Sequence, residues 1–190
     1  MVEEARLEAV ESGLVPASDG WFVVNVLDAA WLTNDAFGAR CIFEADTPVV
    51  RGTELETRHF SQLGIRLTVA EPGKPTTMYH AETSQEGFLV LAGECLLLIE
   101  GEERQLRAWD FVHCPQGTEH GFVGTGDGPC VILAVGARTD EGSIVYRRND
   151  VALRHGAGVE KETPSPTEAY APYPHWQRGR PESWGTLPWA

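Results

Sequence analysis

Short apolar runs rich in β-branched and aromatic residues recur through the middle of the chain, and Gly, Pro or acidic residues punctuate them. This pattern predicts strands at Trp21–Leu27, Ala39–Glu44, Leu63–Ala70, Phe88–Leu91, Cys95–Glu100, Arg104–Leu106, Phe111–Cys114, Gly121–Val123, Cys130–Val135 and Ile144–Arg147. The residues between them carry turn chemistry: Glu71-Pro72-Gly73, Ala92-Gly93, Glu100-Gly101, Pro115-Gln116-Gly117 and the Gly-rich stretch from Gly124 to Pro129. Many strands joined by tight turns imply mainly antiparallel pairing, hence an all-β sandwich or barrel. Helical signals are confined to the flanks. Residues 2–11 predict a short helix from their Glu, Ala, Leu and Val, and Asp28-Ala29-Ala30-Trp31-Leu32 predicts a further helical turn. Ser165 before Pro166 reads as an N-cap followed by proline at the first helical position.

From about Thr139 the chain changes character, with Pro164, Pro166, Pro172, Pro174, Pro181 and Pro188 interleaved with Trp176, Trp184 and Trp189. Disordered linkers rarely spend aromatic residues this way, so the tail is expected to pack on its own barrel or across a homodimer. The chain therefore divides into an N-terminal extension with outer strands (1–58), a barrel core (59–138) and a final strand with its Pro/Trp-rich tail (139–190). No internal repeat occurs, and 190 residues suit one domain.

Composition narrows the function. The formal charge of −13 opposes phosphate backbones, and the one close basic pair in the core, Arg147-Arg148, is too little for a nucleic-acid footprint. The Glu-rich start lacks the basic and apolar regions of a signal peptide, and no apolar run reaches membrane-spanning length. Cys41, Cys95, Cys114 and Cys130 are widely spaced, as expected of reduced, buried thiols in a cytoplasmic protein.

Candidate chemistry is concentrated in Gly73-Lys-Pro-Thr-Thr-Met-Tyr-His80-Ala-Glu82-Thr-Ser-Gln-Glu86-Gly-Phe-Leu-Val-Leu-Ala-Gly93. On a strand, the two-residue spacing sends His80 and Glu82 to one face. A turn through Thr83-Ser84-Gln85 would start the next strand with Glu86 aimed the same way, and Pro115-x-Gly117 delivers His120 onto a later strand. Arg66 and Thr68 share a face of the strand entering this region and suit an anionic group, and His113 adjoins the downstream turn. His59, His155 and His175 have no supporting spacing and are expected to be ordinary surface or tail residues.

These stretches resemble the two motifs of the cupin superfamily, G-x5-H-x-H-x3,4-E-x6-G and G-x5-P-x-G-x2-H-x3-N, over roughly residues 60–136. Glu86-x6-Gly93 and Pro115-x-Gly117-x2-His120 fit residue for residue. Four departures stand out: six residues separate Gly73 from His80, Glu82 replaces the second His, Trp109 replaces the opening Gly of the second motif, and Gly124 replaces its terminal Asn. The resemblance implies a double-stranded β-helix, a jelly-roll barrel, with one divalent ion (Mn, Fe, Ni or Zn) held by His80, Glu82, Glu86 and His120. Arg66, Thr68 and His113 are then the candidates for binding substrate. Because cupins host oxygenases, isomerases, lyases and sensory modules, the implied function is a metal-dependent small-molecule enzyme or, alternatively, a non-catalytic binding barrel.

Overall fold

The computed structural model describes residues 1–44, 62–138 and 142–189. His59 and the boundary between residues 58 and 59 lie outside them. Among the described residues fourteen strands run in chain order: β1 (Leu7–Val10), β2 (Gly13–Pro16), β3 (Trp31–Asn34), β4 (Gly38–Phe43), β5 (Leu63–Ala70), β6 (Ala81–Glu82), β7 (Glu86–Ala92), β8 (Glu94–Ile99), β9 (Glu102–Arg107), β10 (Phe111–Cys114), β11 (His120–Thr125), β12 (Cys130–Ala137), β13 (Ile144–Val145) and β14 (Gln177–Arg178). Two short helices, α1 (Asp150–Arg154) and α2 (Pro166–Ala169), and a 3-10 turn (Glu182–Thr186) complete the described elements.

One sheet has the order β10-β7-β12-β5-β4-β3-β14, a second β11-β8-β9, and β13 pairs with β6. Every strand pairing is antiparallel, and the fold is an all-β, cupin-type double-stranded β-helix. The turns explain how the chain reverses so often. Glu100 and Gly101 both take positive φ (51° and 78°), which is the backbone a tight β8–β9 hairpin demands. At Gly93 (φ 73°) an added Cβ would lie 2.5 Å from the Pro129 carbonyl oxygen, so a side chain would disrupt the β7–β8 turn against the start of β12.

Alternation along β12 settles which residues are inside. Ile132 and Ala134 join Phe88, Val90, Leu97, Val112 and Phe122 in the core between the two sheets. Val131 points the other way, with Trp31, Leu67 and Val69, beneath Leu187, Trp184 and Trp189 of the tail. The large sheet is thus covered on both faces around Trp31, Val69 and Val131, and the tail packs on its own barrel. Trp31 meets Trp184 edge-on at 5.3 Å and Trp189 at 5.6 Å, while Phe37 lies within 6.3 Å of the rings of Tyr170, Tyr173 and Trp176.

Three expectations fail in the N-terminal part of the chain. In place of a helix over 2–11, β1 and β2 form a hairpin, with Leu7 opposite Pro16 and Val10 opposite Gly13. The second expected helix is also absent: Trp31 begins β3, paired with Cys41. Non-local ladder bonds and burial of Trp31 outweigh a few tenths of a kcal/mol per residue of helix propensity. Trp21–Leu27 makes a single bridge, Glu4 to Trp21, instead of a strand. At the other end Ser165 caps α2 through the Glu168 N–H at 3.3 Å, with Pro166 at the first helical position as expected.

Candidate metal centre

His80 and His120 are brought together by the main chain. The His80 N–H donates to the His120 carbonyl at 3.0 Å and the His120 N–H donates to that of His80 at 2.8 Å, so the residues form one antiparallel rung. Their rings lie 4.8 Å apart. Positive φ at Gly117 (83°) turns the chain after Pro115 and sets the start of β11 opposite His80. Glu86 begins β7, between Cys114 of β10 and Gly136 of β12. All three side chains are buried.

Second contacts fix both imidazoles. His80 Nδ1 lies 2.7 Å from the Met78 carbonyl and His120 Nδ1 lies 3.0 Å from the Thr118 carbonyl. A carbonyl only accepts, so each Nδ1 carries the proton and, in the neutral ring, each Nε2 presents its lone pair to the interior. This is the arrangement that orients metal-ligating histidines. His120 Nε2 is 3.3 Å from Glu86 Oε2, and His80 Nε2 is 3.7 Å from Glu82 Oε1. One ligand atom each from His80, Glu86 and His120 lie within 4.8 Å of one another, and this buried group could hold a metal ion. Ligand atoms about 2.1 Å from a shared ion are at most about 4.2 Å apart, so the widest pair would have to close by at least about half an ångström to share one.

Electrostatics agrees with the geometry. Burial alone would lower His120, but the hydrogen bond and charge of Glu86 outweigh it and raise its pKa above the ordinary value. For Glu82 burial pushes upward, and His80, Arg138 and Arg66 together pull the carboxyl below its ordinary value. Glu82 is only partly buried and stands outside the three-residue group. Cys114, whose strand partner is Glu86, is held as a thiol: burial, then the charges of Glu86 and Glu100, push it up to about 12.

Arg66 and Thr68 line the cavity that His80 and His120 enter, together with Thr76, Phe88 and Phe122. His113 is elsewhere. In β10 the buried residues are Val112 and Cys114, so strand alternation turns His113 outward to the exposed face. Reading along the sequence also missed three neighbours of the site. Tyr146, just after β13, places its ring 5.8 Å from that of His80, and burial, Tyr170 and Glu82 raise its hydroxyl pKa. Arg138 pairs with Glu44, and Arg40 of β4 donates to the Thr76 carbonyl at 2.7 Å. The available signal for Arg40 was a lone cation inside the otherwise apolar run Gly38–Phe43.

The family model described as Cupin domain matches residues 66–136, the segment from β5 through β12 that carries both histidines and both glutamates. Among solved structures the chain is similar to a cupin-superfamily sugar phosphate isomerase from Silicibacter pomeroyi (26% identity, 48% of this chain and 65% of that one, TM-score 0.43). It is likewise similar to a putative sugar phosphate isomerase from Acidithiobacillus ferrooxidans (27% identity, 56% of this chain and 64% of that one, TM-score 0.44). A third, a Cupin 2 conserved barrel domain protein from Salinispora arenicola, is 26% identical over 39% of this chain and 61% of that one, with a TM-score of 0.37. In each case the alignment spans less than two thirds of the solved chain. No curated protein sequence matches the chain. The match to the family model is thus confined to residues 66–136, where the spaced motif residues lie and where the barrel they build is of the cupin type.

Proposed function

We propose that this chain is a metal-dependent small-molecule enzyme, with one divalent ion (Mn, Fe, Ni or Zn) held by His80, Glu86 and His120 and by Glu82 as a fourth ligand. The observation that carries this reading is the pair of Nδ1 contacts to the Met78 and Thr118 carbonyls, which aim both Nε2 atoms at one buried point beside Glu86. Two neutral imidazoles and two carboxylates balance the charge of a divalent cation, and such a mixed N/O set suits those ions. When bound, the ion would supply Lewis-acid polarisation of a substrate oxygen for isomerase or lyase reactions of small oxygen-rich compounds or, as Fe or Ni, oxygen chemistry on them. The chain's own contribution is orientation and exclusion of water. Phe88 and Phe122 pack beside His120, with ring centres 5.1 and 6.3 Å from it, and keep that side apolar.

The test is elemental analysis of the purified protein, followed by His120→Ala. The expected result is about one divalent ion per chain, lost to a large extent in the variant because a deleted ligand leaves the ion under-coordinated. Unchanged metal content in His120→Ala would refute the assignment. One observation favours a second reading, a non-catalytic binding or sensory barrel: the cavity is only about 10 Å³. That is room for about one water molecule. A metal-loaded protein that binds small oxyanions and turns none over would support this alternative.

A cytoplasmic homodimer completes the proposal. Since the tail is used on its own barrel, the surface available for pairing is the outer face of β5, β12, β7 and β10, where Leu63 and Phe111 are 50% and 67% exposed. No described helix is long and apolar enough to cross a membrane.

A further inference from the structure

Two guanidiniums face the barrel interior and have no part in holding the ion. In the β4/β5 ladder Arg40 is opposite Thr68 and Ile42 is opposite Arg66, so Arg40, Arg66 and Thr68 project to one face. Arg66 and Thr68 line the cavity with His80 and His120. Arg40 sits behind them against the tail, its guanidinium carbon 3.8 Å from the centre of the Trp176 ring. Its Nε is buried and has no hydrogen-bond partner. Among the described residues, neither Arg40 nor Arg66 forms an ion pair with a carboxylate.

This arrangement is costly as it stands. A buried cation without a counter-charge is unfavourable, and a second cation alongside makes it more so. Burial, and then the charge of Arg66, bring Arg40 down to about 9, with Tyr170 and the charge of Glu44 opposing them only in part. The field of Arg66 also reaches Glu82. Counting charges around the cavity, Arg40, Arg66 and Arg138 balance Glu44, Glu82 and Glu86, with Arg138 and Glu44 already paired. A divalent ion on the glutamates and histidines leaves this surround with a net charge of two positive units. Among the described residues, the polar side chains lining the cavity beside them are, apart from the histidines, hydroxyls: Thr68, Thr76 and Thr77. Hydroxyls carry no charge.

We propose that Arg66 and Arg40 form an anion subsite beside the metal position, recognising a carboxylate or phosphate group of a small dianionic ligand. The dianionic character rests on the metal reading above, because the excess charge appears only when the ion is counted; the pair of guanidiniums does not. Arg66 supplies direct, planar hydrogen bonding from the cavity wall. Arg40 supplies charge from behind, held flat by Trp176 and by the Thr76 carbonyl. With a cavity of about 10 Å³, the Arg66 side chain must swing to admit the ligand, and as a half-buried residue on the wall it is the group placed to do so.

Full-length protein loaded with Mn²⁺, its metal content measured, is titrated by calorimetry in chloride-free buffer with inorganic phosphate and separately with succinate. At least one should bind saturably, and which one does distinguishes a phosphate from a dicarboxylate ligand. Arg66→Gln should weaken that binding by about tenfold or more, as for a lost charge-assisted hydrogen bond, with metal content unchanged. Arg66→Lys should restore part of it. Stoichiometric metal with no binding of either anion, or equal affinity in Arg66→Gln, overturns the subsite and leaves the metal reading intact. Anion binding that depends on Arg66 in a protein that takes up no metal would sink the metal reading and keep the subsite.

Discussion

Replacing Phe37 by Ala tests how the tail is attached and whether its attachment reaches the metal centre. Phe37 lies in the β3–β4 turn, fully buried, and its ring centre is 5.2, 4.9 and 6.3 Å from those of Tyr170, Tyr173 and Trp176. Truncating a buried Phe costs about 3–5 kcal/mol in lost transfer energy and residual cavity. Three aromatic neighbours, each of which adds about 0.5–1.5 kcal/mol beyond area burial, place this site toward the upper end. At about 2–4 °C per kcal/mol for a chain of this size, melting should fall by about 6–20 °C. The effect should also travel. The Tyr170 hydroxyl accepts the Met78 N–H at 3.1 Å, and the Met78 carbonyl fixes His80 Nδ1 at 2.7 Å. Loosening Tyr170 therefore frees the contact that orients a proposed ligand, and loss of such contacts typically weakens metal binding about 10- to 100-fold. Urea denaturation gives the stability, limited trypsin digestion at Lys161 and Arg178 reports the tail, and a chelator competition gives the affinity. Phe37→Leu, which keeps most of the volume, should show a small fraction of each change. If Phe37→Ala loses less than about 1 kcal/mol and the tail is digested no faster than in the wild type, the tail is not held by this cluster.

Three further outcomes are expected. In metal-free protein, His120 has a raised folded pKa, so its contribution is complete below its ordinary 6.5 and is lost as pH rises through the raised value; Glu82 has a lowered one, so its contribution is complete above its ordinary 4.5 and is lost as pH falls through the lowered value. Melting temperature without metal should thus be highest in the mildly acidic window between, while metal affinity should climb with pH as His120 sheds its proton; metal-free protein that becomes more stable from about pH 6 to about pH 8 would contradict this. Glu82→His should move preference from Mn²⁺ toward Zn²⁺, Ni²⁺ or Cu²⁺ in competition experiments, and identical preference would remove Glu82 from the ligand set. Gly124→Asn, which restores the usual motif residue, should destabilise by about 1–3 kcal/mol or more in urea titration, since a Cβ there would lie 2.3 Å from the Glu71 carbonyl oxygen.

The barrel strands were legible because each is bounded by residues whose conformation is nearly obligatory: Gly93, Gly101 and Gly117 all adopt positive φ where turns were expected. β5 and β10 run over the expected residues from end to end, and β12 extends two residues further than expected. Both site histidines and Glu86 were legible for the same reason, a fixed spacing from such turns. What was lost is what depends on partners distant in sequence. Nothing local distinguishes a Glu/Ala/Leu segment that forms a helix from one that pairs with Gly13–Pro16, and nothing near Arg40 announces Trp176 as its cover. Trp109 shows the limit from the other side. It occupies the position where the motif has Gly and keeps the glycine-like conformation, φ 76°, at the expense of about 1–2 kcal/mol of local strain.

The two-residue strand β14 ends the large sheet by pairing Gln177 with Thr33 and Arg178 with Leu32. Without it β3 would present a row of unpaired N–H and C=O groups, a template that another copy of the chain could extend indefinitely. The segment that does this work is too short to attract growth on its own far side, and it brings two side chains of polar character to the rim. Protein cut before Gln177 would consequently fail first as a colloid: turbidity and thioflavin-positive aggregates at concentrations where the intact chain stays clear, with the barrel still folded inside them.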